Sequence, residues 1–102
     1  MRESEIEKYL VKRVQALGGE VRKAAWIGRR GAPDRLVLLP ARETSEGWAV
    51  EGWELPQTIW VEIKAPGEKA KPHQAREHER MRKMGQTVVV VDSLEGIDEV
   101  LQ

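Results

Sequence analysis

The sequence predicts an α/β fold in which helices flank one mixed four-stranded sheet. Helix start and stop signals bracket residues 4–17 and 72–84, whereas residues 35–39, 58–65 and 87–92 have the apolar or alternating patterns of strands. The length of 102 residues suits one domain, and 40% hydrophobic with 33% charged residues is typical of a globular protein. We therefore expect the whole chain to form a single domain.

The first helix is predicted over residues 4–17. Its apolar residues recur every three or four positions, which places them on one stripe: Ile6, Leu10, Val14 and Leu17. Ser4 and Glu7 have the spacing of a capping box, and the glycine pair at 18–19 is a stop signal. Residues 20–26 then predict the first strand.

A basic, glycine-rich turn leads to the second strand. The turn contains Arg29 and Arg30 and ends at a proline, and Asp34 follows that proline at a position biased towards the start of a strand. Residues 35–39 are almost continuously apolar and predict the second strand. Residues 41–57 lack a strong pattern and predict a long β-hairpin tip or an insertion before the third strand.

The third strand, residues 58–65, has two distinct faces. One face is apolar, with Ile59, Val61 and Ile63. The other face carries Trp60, Glu62 and Lys64, because residues two apart on a strand project to the same side.

The last part of the chain predicts a helix, a strand and a short helix. Pro72 suits the first turn of a helix that ends near Met84, before Gly85. Residues 87–92 predict a buried strand, and Ser93 caps the last helix. The order is αβββαβα. Three sequential strands form an antiparallel meander, and the crossover through the second helix makes the last strand parallel to the third.

Composition excludes several classes of protein. The chain has no cysteine, which excludes disulfides and thiolate metal sites. No apolar stretch reaches the length of a membrane-spanning helix, and the acidic N-terminus is unlike a signal peptide, so we expect a cytoplasmic protein. The net charge is zero, but residues 20–35 and 64–83 are basic while 41–62 and 84–102 are acidic. Such segregation can form a phosphate-attracting face, although solvated helix faces also produce it.

Two short fragments point to phosphodiester chemistry. Asp34 and Glu62 lie at the ends of strands that we expect to be neighbours, and two carboxylates suit Mg²⁺ or Mn²⁺. The backbone carbonyl of Ile63 could add a third oxygen. Lys64 would orient an attacking water or balance the phosphate charge. The ordinary alternatives are a turn residue for Asp34 and a solvated ion pair for Glu62 and Lys64.

The same fragments resemble a known family. Gly31-Ala32-Pro33-Asp34-Arg35 followed by Val61-Glu62-Ile63-Lys64-Ala65-Pro66-Gly67 is similar to the PD-(D/E)xK nuclease superfamily and, more narrowly, to its VRR-NUC (virus-type replication-repair nuclease) family. The resemblance covers almost the entire chain. It implies a restriction-endonuclease-like αβββαβ core and a Mg²⁺- or Mn²⁺-dependent nuclease. In such an enzyme Asp34 and Glu62 bind the metal and Lys64 is catalytic.

The resemblance also assigns two residues on the helices. Glu7 matches the first-helix glutamate directed towards the metal; the capping box with Ser4 is its alternative, and Glu3, one turn earlier, could substitute for it. Gln74 matches a family glutamine expected to touch a water or phosphate, and a helix-surface amide is its alternative.

Basic residues near the two fragments are the predicted DNA contacts: Arg29, Arg30, Arg35, Lys69 and Lys71. His73 and His78 lack the spacing of a metal motif, and we expect them to be surface or helix-packing residues.

The resemblance implies a structure-selective endonuclease that acts on branched DNA as a homodimer, like a Holliday-junction resolvase, with a phage or prophage origin. A restriction- or flap-type nuclease of the same fold and a non-catalytic DNA-binding or assembly module are the alternatives. Residues 41–57 depart from the family pattern. Trp48 and Trp53 could pack on the domain, form a dimer contact or stack on bases, and the surrounding glutamates favour the first two roles.

Overall fold

The computed structural model describes residues 1–43 and 53–102. Its helices are α1 (Glu3–Ala16), α2 (Pro72–Lys83) and α3 (Leu94–Val100). Its strands are β1 (Glu20–Lys23), β2 (Arg35–Leu39), β3 (Arg42–Glu43), β4 (Trp53–Glu54), β5 (Gln57–Ile63) and β6 (Val88–Val91).

The main sheet has four strands in the order β1-β2-β5-β6. β1 pairs with β2 and β2 with β5 in the antiparallel direction, and β6 is parallel to β5. The predicted meander, crossover and α/β fold class are therefore confirmed.

The apolar face of the sheet forms the main hydrophobic core with α1 and α3. Three core residues come from β5, as the alternating pattern predicted: Ile59, Val61 and Ile63. The stripe on α1 supplies three more: Ile6, Leu10 and Val14. Helix α2 contacts the opposite face, which carries Trp60, Glu62 and Lys64. The polar residues of β5 therefore lie between the sheet and α2.

Three local predictions need correction. The capping box of Ser4 and Glu7 is wrong, because α1 begins at Glu3 with Arg2 as its N-cap and no side-chain cap. Strand β1 ends at Lys23, short of the predicted residue 26. Strand β6 is only partly buried, since it lies at the edge of the sheet and Val90 is exposed.

The ends of the connection between β2 and β5 form a separate two-stranded ladder. Arg42 pairs with Glu54 and Glu43 with Trp53 in the antiparallel direction, as a hairpin requires. Trp48 and the side chain of Trp53 lie outside the described residues, so their roles stay predictions. No helix in the described part of the chain is long and apolar enough to cross a membrane.

Candidate active site

The register of the sheet brings the two predicted carboxylates together. The β2–β5 ladder ends where Arg35 pairs with Val61, and the same antiparallel register continued by one residue would set Asp34 opposite Glu62. Residues directly opposite each other have Cβ atoms roughly 4.5–5.5 Å apart. The charge of Asp34 accordingly acts on the Glu62 carboxyl. Two carboxylates that are distant in the sequence thus face each other at one end of the β2–β5 ladder.

The negative charge of Glu62 is only weakly balanced by neighbouring positive charge. Its side chain is 14% exposed, and within the described residues Lys64 Nζ and His78 Nε2 each lie 3.8 Å from one of its oxygens, the histidine being a cation only when it is protonated. Burial is the main cause that raises the pKa of Glu62; the positive charge of Lys64 opposes it, and the negative charges of Asp34 and Glu3 add to it. A cation placed between these carboxylates would relieve both the repulsion and the cost of burial.

Helix α2 holds Lys64 beside Glu62. Lys64 Nζ donates a hydrogen bond of 2.9 Å to Gln74 Oε1, and the backbone N–H of Lys71 donates to the same oxygen, also at 2.9 Å. Gln74 therefore connects the N-terminus of α2 to the lysine. The predicted contact of Gln74 with a water or phosphate stays a prediction.

Arg35 connects Asp34 to α1. Its Nη1 lies 3.0 Å from Asp34 Oδ1, and its Nη2 donates to Glu7 Oε2 at 2.9 Å. The side chain is 14% exposed. The predicted DNA contact does not fit this position, because the guanidinium is largely buried and bound to two carboxylates. Arg35 instead fixes the site to the first helix.

The two first-helix glutamates reach the site differently. The hydrogen bond from Arg35 lowers the pKa of Glu7, with burial opposing it. Glu7 is therefore linked to the site by its hydrogen bond with Arg35, whereas the negative charge of Glu3 acts directly on the Glu62 carboxyl. The predicted alternative, in which Glu3 takes the part of Glu7 near the metal, is compatible with this arrangement.

The donor set fits a hard cation that keeps part of its water shell. Within residues 1–43 and 53–102, no three His, Cys, Asp or Glu side chains form a ready cluster for a metal ion. Asp34 and Glu62 offer two carboxylates, and the Ile63 carbonyl follows Glu62 at the end of β5. Mg²⁺ and Mn²⁺ accept one or two carboxylates and complete their shell with water and phosphate oxygens, whereas a closed zinc site needs four protein ligands.

His78 is a site neighbour that the sequence prediction missed. It is a helix-packing residue, one of the two roles expected, but it is only 1% exposed and its Nε2 faces Glu62. Burial is the main cause that lowers the pKa of His78. The available signal was its position four residues after Gln74, which puts both side chains on one face of α2.

Positive charge gathers where the basic turn meets α2. Burial and then the charges of Arg30, Lys71 and Arg76 lower the pKa of His73 in the first turn of the helix. Arg30 and Lys71 are exposed, as is Lys69. Arg29 is partly committed, because its Nη1 lies 3.5 Å from the buried carboxylate of Glu77.

An apolar surface adjoins this basic turn. Trp26 packs against Trp60 with ring centroids 5.0 Å apart and donates through Nε1 to the carbonyl of Pro33 at 2.7 Å. Ile27, at the start of the turn, is fully exposed.

Two comparisons with known proteins found relatives of this chain. No family model matches the chain. It is 45% identical over 93 residues to "Putative nuclease p44" of Acyrthosiphon pisum secondary endosymbiont phage 1, an alignment that covers 91% of this chain and 85% of that protein. A solved structure described as "VRR_NUC domain" superposes with a TM-score of 0.76 and 42% identity, over 97% of this chain and 92% of the other.

Proposed function

Because this chain belongs to the VRR-NUC family of nucleases, we propose that it is a Mg²⁺- or Mn²⁺-dependent endonuclease that cuts branched DNA, like a Holliday-junction resolvase. The observation that carries the proposal is that the charges of Asp34 and Lys64 both act on the Glu62 carboxyl at the end of the β2–β5 ladder, with Lys64 Nζ 3.8 Å from Glu62. A largely buried carboxylate beside an exposed one, next to a lysine, suits a phosphoryl group that needs both a cation and an oriented water.

Each residue has a distinct role in this proposal. Asp34, Glu62 and the Ile63 carbonyl would hold the ion, which when bound neutralises phosphate charge and makes a water more acidic. Lys64 is catalytic: held by Gln74, its ammonium orients the attacking water or balances charge on the phosphate. Arg35 keeps Asp34 in place.

DNA would approach over the basic turn and the start of α2. Arg30, Lys69 and Lys71 are exposed there and would contact phosphates. Arg29 would contribute with the part of its charge that Glu77 does not neutralise. These contacts position the backbone without reading its sequence.

Paired incision of a junction requires two active sites, and one chain supplies one. We therefore include a homodimer in the proposal. The phage source of the relative p44 supports a phage or prophage origin, and with it action in the cytoplasm of a bacterial cell. The 41–57 segment would be this chain's own insertion in a single-domain nuclease.

Cleavage of labelled four-way junction, flap and linear DNA in Mg²⁺, Mn²⁺ or EDTA tests the proposal. We expect metal-dependent cleavage of the junction, abolished in Asp34→Asn and Lys64→Ala, with DNA binding in Ca²⁺ largely retained by Lys64→Ala. Lys83→Ala, an exposed lysine at the end of α2, is the matched control and should cut normally.

Three outcomes would overturn parts of the proposal. Unchanged cutting by Asp34→Asn would refute the assigned mechanism. A preference for flaps would favour the flap-type alternative, and DNA binding without cleavage in any metal would favour the non-catalytic module. A purely monomeric species in sedimentation with junction DNA would refute the homodimer.

A further inference from the structure

Glu77 is a buried carboxylate of α2 that lies against two arginines. Its side chain is 4% exposed, and glutamates buried to this degree are normally paired with positive charge. Arg80 Nε donates a hydrogen bond of 3.0 Å to Glu77 Oε1, and Arg80 Nη2 lies 2.8 Å from that oxygen. Arg29 Nη1, from the basic turn, lies 3.5 Å from the same oxygen. Two arginines that are distant in the sequence thus meet at one carboxylate oxygen.

The two arginines carry more positive charge than Glu77 neutralises. Both guanidinium groups are charged at any pH at which the protein is folded, and one carboxylate balances only one of them. Within the described residues, neither arginine forms an ion pair with a second carboxylate. The side chains of Arg29 and Arg80 are 52% and 54% exposed. The excess positive charge is therefore accessible to a ligand.

A phosphate group matches this arrangement. The planar fork of N–H donors on an arginine suits phosphate oxygens, which it often binds through two parallel hydrogen bonds. Because both arginines reach the same oxygen of Glu77, their guanidinium groups are close enough for one phosphate to contact both. Glu77 also holds the two side chains together before any ligand arrives, which reduces the entropy that binding would otherwise cost.

The arginine pair lies near the proposed metal site but apart from its lysine. Arg29 belongs to the turn that leads to Asp34, and this turn packs on α2, since a Cβ on Gly31 would lie 2.8 Å from the carbonyl oxygen of His73. Arg80 comes six residues after Gln74, which holds Lys64. Six residues correspond to about 9 Å along a helix axis.

We propose that Arg29 and Arg80, held together by Glu77, form a second phosphate-binding site, for a backbone phosphate of the DNA other than the one that is cut. The inference rests on the proposed function, because it takes DNA as the substrate. It assigns Arg80 to DNA binding and gives Arg29 a partner on the same phosphate. The DNA-binding surface then extends from the basic turn and the start of α2 to the last turn of that helix.

The salt dependence of DNA binding tests whether the two arginines share one phosphate. Binding of a labelled four-way junction in Ca²⁺ is measured at about 50 to 200 mM salt for wild type, Arg29→Ala, Arg80→Ala and the double variant. Each single variant keeps one cation on the phosphate, so we expect about 10-fold weaker binding and a fall in salt slope of less than about one. The slope of the double variant should fall by about one, because one phosphate contact is lost.

A control variant and a second readout accompany these measurements. Lys12→Ala removes one exposed positive charge from α1, which packs on the opposite face of the sheet from α2, and it should bind the junction like wild type. Single-turnover cleavage in Mg²⁺ with saturating enzyme separates binding from chemistry. We expect the arginine variants to cut bound junction at the wild-type rate, because the pair does not contact the phosphate that is cut.

Three results would overturn the inference. Arg80→Ala could bind with the affinity and slope of wild type, or the slope of the double variant could fall by about two, which would indicate two separate phosphates. A loss of single-turnover rate in Arg80→Ala would place the pair at the phosphate that is cut. If wild type binds no DNA, the proposed function fails as well. If wild type binds and cuts the junction while Arg80→Ala binds equally well, only the inference fails.

A measurement on the unmodified protein applies if Arg80→Ala does not fold, since this variant leaves the buried Glu77 without its nearest cation. The ¹⁵N–¹H signal of Arg80 Nε is followed while wild type is titrated with junction DNA in Ca²⁺. We expect the signal to shift and to saturate together with DNA binding. A signal that stays unchanged at saturation would overturn the inference.

Discussion

Replacing Arg35 with methionine removes the cation that joins Glu7 to Asp34 but keeps most of the side chain's apolar stem. We expect the free energy of unfolding near neutral pH to fall by about 2 kcal/mol, since a hydrogen bond to a charged group contributes about 1.5–3 kcal/mol. Glu7, whose side chain is 29% exposed, accounts for most of this loss. Asp34 is 60% exposed, and solvent screening limits its pair to about 0.5 kcal/mol.

The pH dependence has a defined sign. Because Arg35 lowers the pKa of Glu7 below its ordinary value of 4.5, the pair's contribution is fully present above that value and is lost as the pH falls through the folded-state pKa. The stability difference between wild type and Arg35→Met should therefore shrink as the pH is lowered below about 4.5.

Urea unfolding of wild type, Arg35→Met, Glu7→Gln and the double variant measures the coupling. We expect a coupling energy of about 1.5 kcal/mol for Arg35 and Glu7, and a value below about 0.5 kcal/mol would refute the reasoning. DNA binding adds a second check. A phosphate contact by Arg35 would lower the salt slope of binding by about one in Arg35→Met, whereas the structure predicts no change in that slope.

Three further predictions follow from the site. Glu62→Gln should be more stable than wild type at neutral pH without metal. The pKa of Glu62 is raised in the folded protein, so its ionised form destabilises the fold, and this destabilisation is relieved as the pH falls through that pKa. Thermal unfolding across pH measures the effect, and Mn²⁺ should stabilise only wild type. In urea unfolding, Gly31→Ala should lower the free energy of unfolding by about 2–3 kcal/mol. Gly28→Ala is the control and should lower it by about 1 kcal/mol, because Gly28 also has a positive φ but no atom within 4 Å of the added Cβ. Arg30→Ala should lower the salt slope of DNA binding by about one while leaving urea unfolding unchanged, and an unchanged slope would remove Arg30 from the DNA contacts.

Local pattern was sufficient to predict the fold class and the two faces of β5. The alternation from Ile59 to Lys64 reports which side chains enter the core, because a strand has a period of two. The same alternation put Glu62 and Lys64 on one side, and the meander made β2 and β5 neighbours. These inferences depend only on the two-residue period of a strand and on the general rule that consecutive strands tend to pair.

The partners of Arg35, Glu7 and His78 could not be predicted in this way. An arginine beside a candidate site carboxylate is equally consistent with a phosphate contact and with an ion pair, and only the placement of α1 brings Glu7 within 2.9 Å. The Ser4–Glu7 capping pattern failed because the helix starts one residue earlier and Arg35 takes the carboxylate. His78 depends on which face of α2 meets the sheet, which is a matter of tertiary packing.

The opposition of Asp34 and Glu62 has a consequence for engineering. The strand ladder sets this geometry, so the number of residues that connect β2 to β5 does not enter it. We therefore expect the two carboxylates to stay in place when the length of this connection is changed. A single residue inserted within β2 or β5 would instead turn one carboxylate to the other side of the sheet. Insertions in the connection and insertions in the strands are therefore expected to have opposite effects on the site.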